Sequence, residues 1–243
     1  MKPTRADKPN LTHPLARGLF HCWLFNEGGG DRVLDCVEGA ASTTWGAGLS
    51  WTASPAGHCI YGGGSDGNVW WAYDPRHRAV AGFSVALAMI FHRLPSVMPQ
   101  NGYVISAHNT EAPTRTWYWV ANKAADELRA VYADADGVSR GASSSQQSIS
   151  VNRLYRCVMT CAPDGIRFYV NGTRVLELLL GPIYAGGTPI TLRIGHSGSD
   201  YCPDAQYLHL MFWNRGLTET EARQATMDPY GMFRRQSPLI VAA

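Results

Sequence analysis

The sequence predicts an all-β fold: a sandwich of two antiparallel sheets with one short C-terminal helix. Three observations predict it. Apolar runs of strand length recur along the chain, each closed by a cluster of Gly, Pro, Asn, Asp or Ser, the pattern of short strands joined by turns. No long amphipathic stretch separates them, as the crossover helices of a parallel sheet require. The composition, with 8 Trp, 11 Tyr, 25 Gly and 14 Pro, is that of pleated surfaces and tight turns. At 243 residues the chain fits a single β-sandwich of roughly 200–250 residues. Hydrophobic residues make up 45% and charged ones 16%, so the chain is globular. A net charge of +2 excludes nucleic-acid binding through a basic patch.

The elements follow in order. Residues 1–17 are polar and Pro-bearing, with Lys2, Arg5, Lys8 and Arg17. They read as an extended N-terminal arm, either a frayed tail or an assembly arm laid on a neighbouring subunit. The domain proper is expected over 18–233, with a tail at 234–243. Strands are expected at 19–25, 58–61 and 68–73, with the glycine-rich 62–67 as a turn. Further strands fall at 83–91, halted by Pro95, and at 103–106, 116–120 and 128–132. Residues 139–150, rich in Ser and Gln, read as a loop or a polar edge. Strands 155–161 and 166–170 flank the turn at Pro163-Asp164-Gly165. Asn171-Gly172 then predicts a two-residue hairpin, because both residues accept the positive φ of a type I′ turn, with a return strand at 173–179. Strands 190–195 and 207–213 complete the sheets. Thr218 and Glu221 form a T-x-x-E capping box, which predicts a helix over 218–227, ahead of Asp228-Pro229.

Several function classes are argued against. The N-terminus has no apolar h-region, and no run of 18 apolar residues occurs, so the expectation is folding in a reducing cytoplasm. The six cysteines, Cys22, Cys36, Cys59, Cys157, Cys161 and Cys202, are then expected free and buried. A zinc site from Cys36, His58 and Cys59 lacks the paired C-x-x-C spacing. Gly62-x-Gly64-x-x-Gly67 fits a dinucleotide fingerprint and Gly63-x-Ser65-x-Gly67 a nucleophile elbow, but both need a following helix. Here the strand-like Val69-Trp70-Trp71 follows. Glycoside cleavage needs two carboxylates facing across a sugar. Asp134 and Asp136 have a related spacing but sit in a turn beside Gly137, so no catalytic residue is assigned.

The order of certain pieces carries a resemblance. These are Gly18-Leu19 with Trp23-Leu24-Phe25-Asn26-Glu27-Gly28, then Phe83-Ser84-Val85, then Phe168-Tyr169-Val170-Asn171-Gly172. The strand-to-helix corner from Phe212-Trp213-Asn214-Arg215-Gly216-Leu217 to Glu221 follows, and then Asp228-Pro229-Tyr230-Gly231-Met232-Phe233. Over roughly residues 17–233 the chain resembles the laminin-G-like, concanavalin A-like lectin-glucanase jelly-roll family, in the type associated with phage and prophage virions. The resemblance implies two antiparallel sheets of six or seven strands, one curved to a concave face, in modules that mostly bind. Relatives of that kind hold calcium at the sheet rim. The residues for it here would be Asp66, Asn68, Asp200 and Asp204, but Leu208 and His209 replace the family's acidic pair in the late strand. No cofactor is therefore expected, calcium being the one ion left open. Trp70, Trp71, Tyr73, Trp117 and Trp119 are the candidates for stacking on a glycan or partner. Trp70 and Trp71 must point to opposite faces, and for the tryptophans as a group the core reading is preferred.

These readings lead to an expectation of a non-enzymatic virion accessory protein, a capsid decoration or cement subunit on a phage head. It would bind the major capsid protein and copies of itself in a symmetric oligomer, with no nucleic-acid or membrane partner, at the virion surface after synthesis in the host cytoplasm. A glycan-binding host-recognition module on a tail or fibre, reading cell-surface glycans, stands as the alternative. A glycoside-cleaving enzyme stands third.

Overall fold

A computed structural model describes residues 2–4, 7–39, 44–64, 68–71, 74–77, 82–109, 115–133, 139–162, 164–178, 190–195 and 201–234. These residues build two antiparallel sheets and one α-helix. The eight-stranded sheet runs in the order β13 (Thr173–Leu178), β12 (Gly165–Val170), β11 (Leu154–Ala162), β6 (Phe83–Phe91), β15 (Cys202–Trp213), β4 (Gly57–Gly64), β3 (Leu49–Ser54), with β1 (Leu19–Trp23) also paired to β15. The seven-stranded sheet runs β10 (Ser139–Ser148), β9 (Glu127–Ala133), β8 (Arg115–Asn122), β7 (Gly102–Asn109), β14 (Ile190–Gly195), β5 (Asn68–Trp71), β2 (Thr44–Trp45). The expected all-β sandwich is present. No helix among the described residues is long and apolar enough to cross a membrane.

The period-2 alternation of the central strands makes the core. Phe83, Val85, Leu87, Met89 and Phe91 of β6 join Tyr155, Cys157, Met159 and Cys161 of β11 on one inner face. Trp117, Trp119 and Ala121 of β8, with Leu192 and Ile194 of β14, supply the opposite one. Trp119 meets Phe168 edge-on at 5.1 Å, a favoured aromatic geometry. All six cysteines are free and buried. The hairpin between β12 and β13 turns at Asn171 (φ 48°) and Gly172 (φ 84°), the conformation that the Asn-Gly pair specifies.

The outer face of the eight-stranded sheet carries a second core. Ala86, Val158, Met211 and Trp213 pack there against α1 (Glu219–Met227) and against Leu15 and Ala16 of the N-terminal segment. The capping box forms as its sequence predicts: Glu221 N donates to Thr218 Oγ1 (3.3 Å), and Thr218 N donates to Glu221 Oε2 (2.9 Å). Glu221 also accepts a two-pronged pair from Arg215 (2.7 and 2.8 Å). Arg215 in turn donates to the carbonyls of Arg17 (2.7 Å) and Pro14 (2.9 Å), and Trp213 Nε1 donates to the Leu15 carbonyl (2.6 Å). The strand-to-helix corner thus clamps the N-terminal segment onto its own domain.

The structure departs from the sequence reading at Gly62 to Gly64 and at β3, and decides the loop-or-edge alternative at residues 139–148 in favour of the edge. Gly62 to Gly64 continue β4 rather than turning. A Cβ on Gly62 would meet Cys202 Sγ at 2.7 Å, so glycine is there for close approach of β15. Residues 139–148 form β10, an edge strand on β9, where main-chain pairing does not need apolar side chains. Strand β3 has only weak alternation of burial and left no clear sequence signal.

Candidate functional site

The second core covers only part of the outer face. Beyond it, on β11, β6 and β15, Arg156 and His209 both pair in register with the small Ala88. Ala88 packs only in a small cluster with Cys59 and Leu208, so this stretch of sheet lies low between higher walls. The result is a cleft of about 790 Å³, within the usual size of a small-molecule site. Its walls come from four segments: residues 2–4, Asn26 and Glu27 after β1, the 55–58 turn between β3 and β4, and residues 227–230 after α1.

His209 is buried against Tyr230, which lines the cleft. Its Nδ1 lies 2.9 Å from the Tyr230 hydroxyl, and the two rings meet edge to face at 5.3 Å. Burial, with the Lys2 and Arg156 cations nearby, takes His209 down to about 3. The ring is therefore neutral at physiological pH, and its hydrogen bond with the Tyr230 hydroxyl holds the phenol in place. Lys2 closes one wall by donating to the carbonyls of Phe25 (3.0 Å) and His58 (2.5 Å). Burial takes this ammonium down to about 8, so it stays mostly protonated at neutral pH. Asn26 is fixed through Nδ2 to the Pro3 carbonyl (2.6 Å), and Glu27 through Oε1, which accepts from Leu34 N (2.9 Å).

Three groups at the cleft have unused bonding capacity. Asn26 Oδ1 and Glu27 Oε2 are buried acceptors without a donor among the described residues. A buried polar atom in that state costs about 1–3 kcal/mol. Arg156 lines the same cleft, and its guanidinium makes no hydrogen bond or ion pair among the described residues. Of the other charges, Arg234 bonds Asp228 (3.0 Å), and Lys2 is held by carbonyls. The cleft therefore offers a free cationic fork and the Tyr230 ring, with two donorless acceptors buried in its wall.

Apart from Lys2, the residues singled out from the sequence lie elsewhere. Trp71, Trp117 and Trp119 are buried in the inner core. Trp70 is half-buried on the outer face of the seven-stranded sheet, in register with Arg193, and Tyr73 lies outside the described residues. Of the calcium candidates, Asp66 and Asp200 lie outside the described residues, and Asn68 begins β5. Asp204 is engaged: Arg93 Nε lies 3.9 Å from Oδ2, and Tyr61 Oη donates to Oδ1 (2.7 Å), a hydrogen bond that pushes Tyr61 up to about 12. In the N-terminal segment, Lys2 and Lys8 donate to carbonyls of their own domain, Lys8 to that of Cys36 (2.7 Å). The Arg17 carbonyl is held by Arg215, and Arg5 lies outside the described residues. The cleft residues escaped the sequence reading because they come from distant segments. Arg156 alone left a signal, as a lone charge inside the apolar run of β11.

Fold and cleft together define a two-sheet, lectin-like β-sandwich. No family model matches the sequence, and no curated protein matches it. Solved structures do match in fold. A Trypanosoma rangeli sialidase in complex with sialic acid superposes with a TM-score of 0.67 at 14% identity, covering 88% of this chain and 33% of that one. A mutant of the same sialidase displaying trans-sialidase activity gives 0.66 at 15% identity, covering 96% and 37%. The binding domain of botulinum neurotoxin DC in complex with rat synaptotagmin II gives 0.67 at 10% identity, covering 86% and 51%. The chain thus spans about a third of the sialidases and half of the toxin domain. At these identities the likeness shows the fold alone.

These matches correct the functional expectation drawn from the sequence. The chain shares its fold with parts of glycoside-cleaving enzymes and with a toxin's receptor-binding domain. The reading as a phage capsid decoration subunit with a capsid-protein partner is overturned. Of the family resemblance, the lectin-like sandwich stands, while its laminin-G and virion-associated parts have no support among these matches.

Proposed function

We propose that this chain is a non-catalytic carbohydrate-binding module that reads an acidic sugar in the cleft between β11, β15 and the C-terminal end of α1. The carrying observation is the Arg156 guanidinium, unpaired in a cleft whose wall also holds two donorless acceptors. A planar guanidinium matches a carboxylate two-prongedly, and sugar hydroxyls supply the donors that Asn26 and Glu27 lack. One neighbour in fold, a sialidase, is described in complex with sialic acid and, as a mutant, with trans-sialidase activity, which supports an acidic sugar as the ligand class.

The same geometry supports binding without cleavage. The phenol in the cleft, Tyr230, is pushed well above its ordinary value by burial, with Cys22 adding to the shift, and it faces a neutral histidine. A nucleophile needs a competent adjacent base or a lowered pKa; His209 beside Tyr230 is held down to about 3 and is a poor base, and burial raises the phenol. Asp228 is tied to Arg234, so it does not serve that phenol.

Calorimetric titration with a sialylated trisaccharide, and with the same sugar lacking its carboxylate, tests the proposal. Wild type is expected to prefer the acidic sugar, and Arg156→Ala to lose at least about tenfold in affinity, the worth of one charge-assisted pair. Equal binding of both sugars, or undiminished binding by Arg156→Ala, refutes it. Hydrolysis of the sialylated sugar by the purified chain refutes the non-catalytic part.

A further inference from the structure

A second polar cluster lies away from the cleft, where β1 meets the short 3-10 turn Pro75–His77 that follows β5. In a 3-10 turn, residues three apart fall on the same side, so Asp74 and His77 face one way together. His21 of β1 completes the group: its Nε2 lies 3.3 Å from Asp74 Oδ2, and ligand atoms of His21, Asp74 and His77 all fall within 4.8 Å of one another.

His77 is the observation that asks for a ligand. It is 1% exposed, and both ring nitrogens are buried with no hydrogen-bond partner. Its main chain is satisfied, since its N–H donates to the Asp74 carbonyl (3.0 Å) and its carbonyl accepts from Trp117 Nε1 (2.9 Å). Only the imidazole is left over, although such a ring carries one donor and one acceptor.

His21 is held as a metal-ligating histidine is held. Its Nδ1 lies 2.5 Å from Asp35 Oδ2, while Asp35 Oδ1 is pinned by the backbone N–H groups of Cys22 (3.0 Å) and Val37 (2.8 Å). A carboxylate that takes the Nδ1 proton leaves the Nε2 lone pair facing inward, which is how carboxylate–histidine–metal triads orient their ligands. His21 Nε2 faces the Asp74 carboxylate at 3.3 Å, a contact that either a proton on Nε2 or a shared cation makes attractive. The charge count agrees. Asp35, Asp74 and Glu38 surround His21, and Arg76 is the cation that pairs with Asp74 (2.6 Å) and Glu38 (2.5 Å). Three carboxylates against one guanidinium leave two negative charges, the charge of a divalent cation.

We infer that His21, Asp74 and His77 form a site for a zinc-like divalent cation, with Asp35 as the positioning residue behind His21. Two imidazoles and one carboxylate suit a late first-row divalent ion rather than calcium or magnesium, which prefer all-oxygen shells. The three ligands would join β1 of one sheet to the segment after β5 of the other, so the ion acts as a staple across the sandwich. Asp74 and Arg76 are partly exposed, which leaves an entry path and a fourth position toward solvent.

The test is titration of zinc into the full chain, freed of metal and kept reduced, by calorimetry, followed by the visible spectrum with cobalt(II) in its place. One ion per chain is expected, with tetrahedral cobalt bands and no thiolate-to-cobalt absorption. His77→Phe, which fills the aromatic surroundings, and the partly exposed Asp74→Asn are each expected to remain folded and to weaken binding by more than tenfold, and Asp35→Asn by about 10–100-fold. Absence of binding by the folded wild type overturns the site. So does binding that survives in both His77→Phe and Asp74→Asn, or a thiolate-to-cobalt band, either of which assigns the ion to the cysteines.

Discussion

Acid should weaken this fold through one histidine whose effect can be isolated. His209 is 1% exposed, shares a hydrogen bond with the Tyr230 hydroxyl (2.9 Å), and is taken down from 6.5 to about 3. Burial dominates that shift, and the Lys2 and Arg156 cations add to it. Between those two values the unfolded chain holds a proton that the folded chain refuses. Stability therefore rises with pH across the window, and is lost as pH falls from 6.5 toward 3. Each pH unit inside the window is worth about 1.4 kcal/mol. Moving from pH 7.5 to 5 should cost about 2 kcal/mol through His209, a sizeable part of a typical total of about 5–15 kcal/mol. Urea unfolding followed by tryptophan fluorescence at pH 7.5, 6 and 5 measures this in wild type and in His209→Gln. The variant keeps an amide to accept from Tyr230 but has no titrating ring. Other groups titrate equally in both proteins, so the expected result is a loss smaller by about 2 kcal/mol in the variant. Parallel losses in the two proteins would refute the assignment of a buried neutral ring under the cleft.

Two further predictions separate architecture from recognition. Trp119→Ala removes a fully buried indole that meets Phe168; it should cost about 3–5 kcal/mol in urea unfolding, while calorimetry on the folded fraction finds ligand affinity unchanged. Leu15→Ala should cost about 2–5 kcal/mol, because Leu15 is fully buried in the second core; a change below about 0.5 kcal/mol, the level of a surface substitution, would mean that the N-terminal segment does not dock on its own domain.

What the sequence made legible was what local chemistry decides. Asn171-Gly172 specified its turn, Thr218 and Glu221 their helix start, and the alternation in 83–91 and 155–161 the two central strands, because each is set by backbone conformation or by a period of two. Gly62 to Gly64 misled, since a glycine that lets Cys202 approach looks in sequence like a glycine that turns. The core reading preferred for the tryptophans holds for Trp71, Trp117 and Trp119, although alternation places Trp117 and Trp119 on one face without saying which face is inner. The cleft was not legible. Asn26, Arg156 and Tyr230 meet only after the sheet has formed and the segment after α1 has returned over it. The His21, Asp74 and His77 cluster likewise joins two sheets, and only the three-residue spacing of Asp74 and His77 was available beforehand.

The central claim is that the cleft, and not the face of either sheet's aromatic residues, holds the ligand. Amide chemical-shift mapping of the ¹⁵N-labelled chain with a sialylated trisaccharide tests it most directly. The account predicts perturbations centred on Asn26, Glu27, His58, Arg156 and Tyr230, absent in Arg156→Ala. Perturbations confined to Trp70, Arg193 and Tyr118 on the seven-stranded sheet, or none at millimolar sugar, would contradict it.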